Sequence, residues 1–182
     1  MVRTSLYLLA GLLLGLLIHL VVILVLPLVA TNGVYGRVGA LGEAGRMLLV
    51  ASPGPGKPNP LRIDPNLTYA VCRLDLSAGP GVVSGTLPLA FWSVGVFDRS
   101  GTVLYSTTNR DGIGQILDLG IFNAAQTRLL AEQKIDIAEG LLIVETHSDE
   151  VFVVVRLEPP QPVMRERYAG QLSRLACGNI PV

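Results

Sequence analysis

The chain has 182 residues with 14 basic and 14 acidic side chains, so it is formally neutral. Charged residues make up only 15%, and there is no basic run to grip a phosphate backbone or an anionic lipid surface, so nucleic acid is excluded as a partner. Two cysteines and two histidines leave little material for a metal site.

Residues 6–30 read LYLLAGLLLGLLIHLVVILVLPLVA, with no formal charge and one ionisable side chain, His19. As a helix rising about 1.5 Å per residue, this stretch reaches roughly 37 Å, enough to cross a hydrocarbon core of about 30 Å. It is predicted to be a single transmembrane helix. Its apolar run exceeds the roughly 7–15 residues of a secretory h-region, and Leu28-Val29-Ala30 is a poor cleavage site, which favours an uncleaved signal anchor. Charge decides orientation only weakly, because Arg3 precedes the span while Arg37 and Arg46 follow it. The short leading tail and the cysteines favour the amino terminus inside and the domain outside.

Gly11, Gly15 and His19 recur every four residues, which places them on one helix face. Small residues let helix backbones approach, and a polar side chain can hydrogen-bond across the contact. The expectation is an interface within the membrane, with a second copy or with a partner helix; chance placement of common glycines is the plainer alternative.

Residues 31–60 are predicted to be a stem and linker. Glycines fall at 33, 36, 39, 42 and 45, and Val34, Val38, Leu41 and Leu48 sketch a helical stripe. Each glycine costs a helix about 1 kcal/mol against alanine, so a weak helix leaning on other surfaces is expected. Residues 51–60, ASPGPGKPNP, are too rich in proline and glycine for regular structure. Gly56-Lys57 fails as a phosphate loop, since Pro58 stands where a hydroxyl residue is needed.

The domain is expected over 61–182. Residues 68–76 alternate, with Ala70, Cys72, Leu74 and Leu76 on one face and Arg73 and Asp75 on the other, the pattern of a half-buried strand. Further strands are predicted at 81–87, 89–97, 102–107 and 115–122, with a hairpin turn at Asp98-Arg99-Ser100-Gly101. Asn123 is placed to cap a helix running to Glu132. Residues 141–147 and 151–157 read as a second hairpin around Ser148-Asp149-Glu150. A last amphipathic helix follows Pro162, with Met164, Tyr168, Leu172 and Leu175 on one face, Gly178 as its stop and Cys177 at its end. Many short strands with few, late helices define a mainly β domain, an antiparallel sandwich or jelly-roll-like fold. In an oxidising compartment Cys72 and Cys177 can pair; two buried free thiols are the alternative.

Catalytic chemistry is poorly supplied. His147, the one histidine outside the span, sits beside Ser148, Asp149 and Glu150, and neighbours in a tight turn splay apart rather than form a triad. One histidine and two distant cysteines do not make a zinc site. Asp75, Asp98 and Asp111 show no pairing of the kind glycoside hydrolysis needs. Asn66-Leu67-Thr68 matches a glycosylation acceptor that short motifs meet by chance. Of Phe91 and Trp92, neighbours on an alternating strand, one is expected in the core and the other is free to stack on a ligand or partner. No catalytic residue, metal ligand or cofactor site is assigned.

Asp64-Pro65-Asn66, Tyr69, Leu74-Asp75-Leu76-Ser77 and Gly79-Pro80 together resemble the opening motif of the family called domain of unknown function 1254. Phe91-Trp92-Ser93, Phe97-Asp98-Arg99 and Tyr105-Ser106 resemble its continuation. The chain is similar over nearly its whole length to short, single-span members found in alphaproteobacteria; the glycine-rich stem departs from that pattern. The resemblance implies a β-rich fold, association with a partner of the domain of unknown function 1214 family, and no established activity. Taken with the orientation favoured by the leading tail and the cysteines, the likeness to bacterial members gives the expectation of a single-pass inner-membrane protein with its carboxyl-terminal domain in the periplasm. Two functional expectations follow. One is a membrane-anchored binding or assembly module working with a partner membrane protein. The other is an envelope enzyme or carrier acting on a lipid or glycan, which carboxylates converging in an apolar-walled pocket would favour.

Overall fold

The computed structural model describes residues 2–29, 33–54, 56–110, 114–133 and 140–180. The chain divides into two units, residues 1–33 and 34–182. The first holds one helix, α1 (Val2–Val29). Within it, Val2–Leu26 is long and apolar enough to cross a membrane, and none of that window is buried.

The second unit is a two-sheet β-sandwich. Its strands are β1 (Leu48–Val50), β2 (Thr68–Asp75), β3 (Gly81–Thr86), β4 (Trp92–Asp98), β5 (Val103–Thr108), β6 (Ile116–Asn123), β7 (Leu142–Thr146), β8 (Glu150–Leu157) and β9 (Ala176–Asn179). Three short helices accompany them: α2 (Val34–Gly39), α3 (Ala124–Gln133) and α4 (Arg165–Leu172). One sheet has the order β1-β2-β8-β4-β5 and is antiparallel throughout. The other runs β7-β6-β3-β9, with β6 and β7 parallel and the remaining pairs antiparallel. The fold is therefore mainly β with one mixed sheet.

The core lies between the sheets. Ala70, Cys72 and Leu74 of β2 point into it with Val153 and Val155 of β8, Val94 of β4 and Leu117 and Leu119 of β6, all fully buried. Trp92 is the largest side chain there, while its neighbour Phe91 stays exposed with the Arg110 guanidinium 6.0 Å from its ring centre. Alternation along each strand produces this arrangement, since successive side chains point to opposite faces. Asp98 closes the β4–β5 hairpin by accepting hydrogen bonds from the Thr102 N–H (2.9 Å) and the Ser100 hydroxyl (2.6 Å). Gly101 supplies the positive φ of +89° that this turn requires.

Three expectations are corrected. The first concerns the stem and linker at 31–60. From Val34 onward this stretch belongs to the sandwich, and β1 adds to the free edge of β2. Arg73 is the cause. Its guanidinium lies 5.5 Å from the Tyr35 ring centre and donates to the Gly42 carbonyl at 2.9 Å, while its own carbonyl accepts from the Gly45 N–H at 2.8 Å. Val38 is buried against Val71 and Phe152. The glycine-rich chain is thus laid flat on the sheet, and its helix is confined to α2.

The second concerns the hairpin expected over 141–157. β7 and β8 lie in different sheets. The Thr146 hydroxyl accepts from the Ser148 N–H at 3.0 Å, and the Asp149 carbonyl accepts from the Leu76 N–H at 2.8 Å, so the turn is a corner that carries the chain across the sandwich.

The third concerns the carboxyl-terminal helix. It ends at Leu172, with Tyr168 and Leu172 buried. Cys177 and Gly178 lie in β9, where Gly178 is paired with Val82 and is not a helix stop.

Candidate functional site

The side of the five-stranded sheet that faces away from the core carries an open cleft of about 390 Å³. Its floor is read off the register. Val71, Val154 and Gly95 stand in one row across β2, β8 and β4, and Tyr69, Arg156 and Ser93 stand in the next. The Phe97 and Phe152 rings stack with centroids 5.1 Å apart and planes 8° from parallel. Gly95 makes this possible, because a Cβ there would meet the Phe97 ring at 2.8 Å. Val34 and Val38 of α2 form one wall, and the loop Leu61-Arg62-Ile63 forms another.

That loop is braced from within. Asn59 donates through Nδ2 to the Ile63 carbonyl (2.7 Å) and accepts the Ile63 N–H on Oδ1 (3.0 Å). The Tyr69 hydroxyl accepts from the Asp64 N–H at 3.1 Å. The bracing holds Arg62 at φ +52°, the one positive φ outside glycine among the described residues. Left-handed backbone costs an L-residue roughly 1–2 kcal/mol, and such strain gathers where function demands a fixed geometry.

Among the described residues that line the cleft, Arg62 and Arg156 are the charged ones and none carries a carboxylate. The Arg156 Nε is buried and lacks a hydrogen-bond partner, a costly state for a cationic donor. The arrangement is a largely apolar trough with two guanidinium side chains in its described lining.

The sequence-selected residues fall elsewhere. Gly11, Gly15 and His19 are exposed on α1, and a Cβ added at either glycine would meet nothing within 4 Å. Cys72 of β2 and Cys177 of β9 form a disulfide between the two sheets, with Cα atoms 6.5 Å apart. His147 is exposed at the corner after β7, and the Ser148 hydroxyl beside it donates to the Glu150 carbonyl. Asp75 and Asp98 serve turns. Hydrogen bonds from the Ser77 side chain and N–H hold the Asp75 carboxyl below its ordinary value. Burial pushes the Asp98 carboxyl up, but bonds from Ser100, Thr102 and Gly101 outweigh it and bring it down. Asp111 lies outside the described residues. Among the described residues, no three His, Cys, Asp or Glu side chains come together to hold a metal ion.

Sequence reasoning missed the cleft. Its signal is the unbroken apolar run Val151-Phe152-Val153-Val154-Val155, which marks a strand covered on both faces.

Fold and site thus define a β-sandwich with a cationic, apolar cleft, preceded by a helix long enough to span a membrane. No family model matches the chain, and no curated protein matches it. Among solved structures it is similar to the VPA0106 protein of Vibrio parahaemolyticus, at TM-score 0.58 and 11% identity, over 81% of this chain and 34% of that one. The chain therefore spans about a third of the length of that protein, and the likeness is one of fold. An uncharacterised protein of Burkholderia cenocepacia aligns at TM-score 0.37 and 14% identity, over 78% of this chain and 44% of that one.

Proposed function

We propose that this chain is a membrane-anchored binding or assembly module of the bacterial cell envelope. One observation carries the reading: a helix able to span a bilayer is followed, after residues 30–33 alone, by a sandwich with an open apolar cleft. The Cys72–Cys177 disulfide supports a domain on the oxidising, periplasmic side of the inner membrane. The Gly11–Gly15–His19 face supports lateral pairing of the span, with a second copy or with a partner membrane protein. The motif from Asp64 to Pro80 supports membership of the domain of unknown function 1254 family and, through it, a partner of the domain of unknown function 1214 family. The enzymatic alternative lacks support in the cleft, where no carboxylates converge among the described lining residues.

Crosslinking in intact membranes followed by pull-down of the full chain tests this reading. A defined protein partner, lost when Gly11 and Gly15 are both replaced by Leu, is expected. A monomeric protein that recovers no defined partner contradicts it.

A further inference from the structure

From the cleft's chemistry and tether we infer that it binds an anionic phospholipid drawn from the membrane that holds α1, with one acyl chain on the Val71–Val154–Phe152 floor and the phosphate on Arg62 and Arg156. The inference rests on the anchored-module reading and names what the cleft takes.

Four observations point to this ligand. The floor and walls are largely apolar and aromatic, and a cleft of about 390 Å³ lies within the range of small-molecule sites. The trough is too polar at one end for a hydrocarbon alone, since Arg156 stands in the row beside Val154 and its Nε is buried without a partner. Arg62 meets the same cleft from a strained loop that is pinned to Asn59 and Tyr69. Arg62 and Arg156 line one cleft with no acidic side chain among its described lining residues, and arginine recognises phosphate through paired N–H donors.

The source of the lipid follows from chain length. Val34, on the cleft wall, follows Val29 of α1 by five positions in the chain. A cleft so tethered is offered membrane lipid continuously and at high effective concentration. A free anion in solution has no such advantage, and the apolar floor gives it nothing.

The test uses the full chain reconstituted in phosphatidylcholine vesicles. These contain an equal, small fraction of either phosphatidylglycerol or phosphatidylcholine with a photoactivatable group on one acyl chain. Crosslinked peptides are then mapped by mass spectrometry. Crosslinks on β2 and β8 at Val71, Phe152 or Val154 are expected from the anionic probe, at about tenfold the yield of the zwitterionic one. Arg62→Gln with Arg156→Gln should bring the anionic yield down to the zwitterionic level. Val154→Trp, which fills the trough from an outward-facing position, should remove the cleft crosslinks while those on α1 persist. The α1 crosslinks report anchoring independently, so an unsubstituted chain that gives α1 crosslinks and no cleft crosslinks overturns the lipid assignment and leaves the anchored-module reading standing. Equal yields from the two probes, crosslinks confined to α1, or an unchanged yield in the double arginine variant would each overturn the inference. So would recovery of a free fatty acid in place of a phospholipid from the purified protein.

Discussion

Cys72 and Cys177 stand on strands of opposite sheets and join them through the core, closing a loop with a sequence separation of 105 residues. Cys72 is fully buried, so the bond lies inside the sandwich. A cross-link over about 100 residues removes denatured-state entropy worth about 4.7 kcal/mol in chain-entropy models, and loss of native disulfides costs about 2–5 kcal/mol. The Cys72→Ala, Cys177→Ala double variant is expected to lose stability in that range, measured by urea-induced unfolding of the full chain in detergent. Reductant should shift the wild-type midpoint towards that of the variant and leave the variant where it is.

The entry into α3 is held by a reciprocal pair. Asn123 Oδ1 accepts the Gln126 N–H at 2.9 Å, and Gln126 Oε1 accepts the Asn123 N–H at 2.9 Å. Gln126 also donates to the Leu76 carbonyl at 2.8 Å, and Asn123 to Asp149 at 3.0 Å. Removing a capping side chain costs about 1 kcal/mol. Asn123→Ala and Gln126→Ala are each expected to destabilise the chain by about 1–2 kcal/mol. The double variant should lose less than the sum, because the two share bonds. Additive losses in the thermodynamic cycle would contradict the reciprocal cap.

Asp98 sets a pH dependence. Hydrogen bonds from Ser100, Thr102 and Gly101 hold its folded-state carboxyl below the ordinary value in spite of its desolvation. A group lowered on folding contributes stability that is fully present above its unfolded value and is lost as pH falls through the folded one. Stability should therefore decline as pH drops below the ordinary carboxylate range, and Asp98→Asn should flatten that decline while lowering stability at neutral pH. Asp75, lowered by Ser77, should leave a residual slope in the Asp98→Asn variant. An unchanged acid limb would contradict the role given to Asp98.

Much of the sandwich is legible in the chain because local pattern and final environment agree. Ala70, Cys72, Leu74 and Leu76 alternate towards the core and are all fully buried, and Asp98 to Gly101 form the turn that their residue types require. The corner at Thr146–Glu150 is different. Polar turn residues between two apolar runs look alike whether the chain folds back within one sheet or crosses to the other, and only the pairing of β7 with β6 decides. Cys177 is misplaced on a helix for a similar reason. Leu175 continues the helical stripe but is buried beyond the end of α4, and Ala176 then pairs with Ser84. The cleft is least legible. Val38, Val71, Phe97 and Phe152 are distant in sequence, and no single segment shows that α2 will lie over β2 and β8. Arg73, read from the sequence only as lying on the face opposite Cys72, holds the glycine-rich segment there through Gly42 and Tyr35.

Anchoring by an intact amino-terminal helix is the claim on which the partner and lipid proposals both depend. Alkaline carbonate extraction of membranes, followed by intact-mass measurement of the recovered protein, tests it directly. The expected result is a chain that stays with the membrane pellet and retains residues 6–30. A freely soluble protein whose mass shows that this segment has been removed would contradict it.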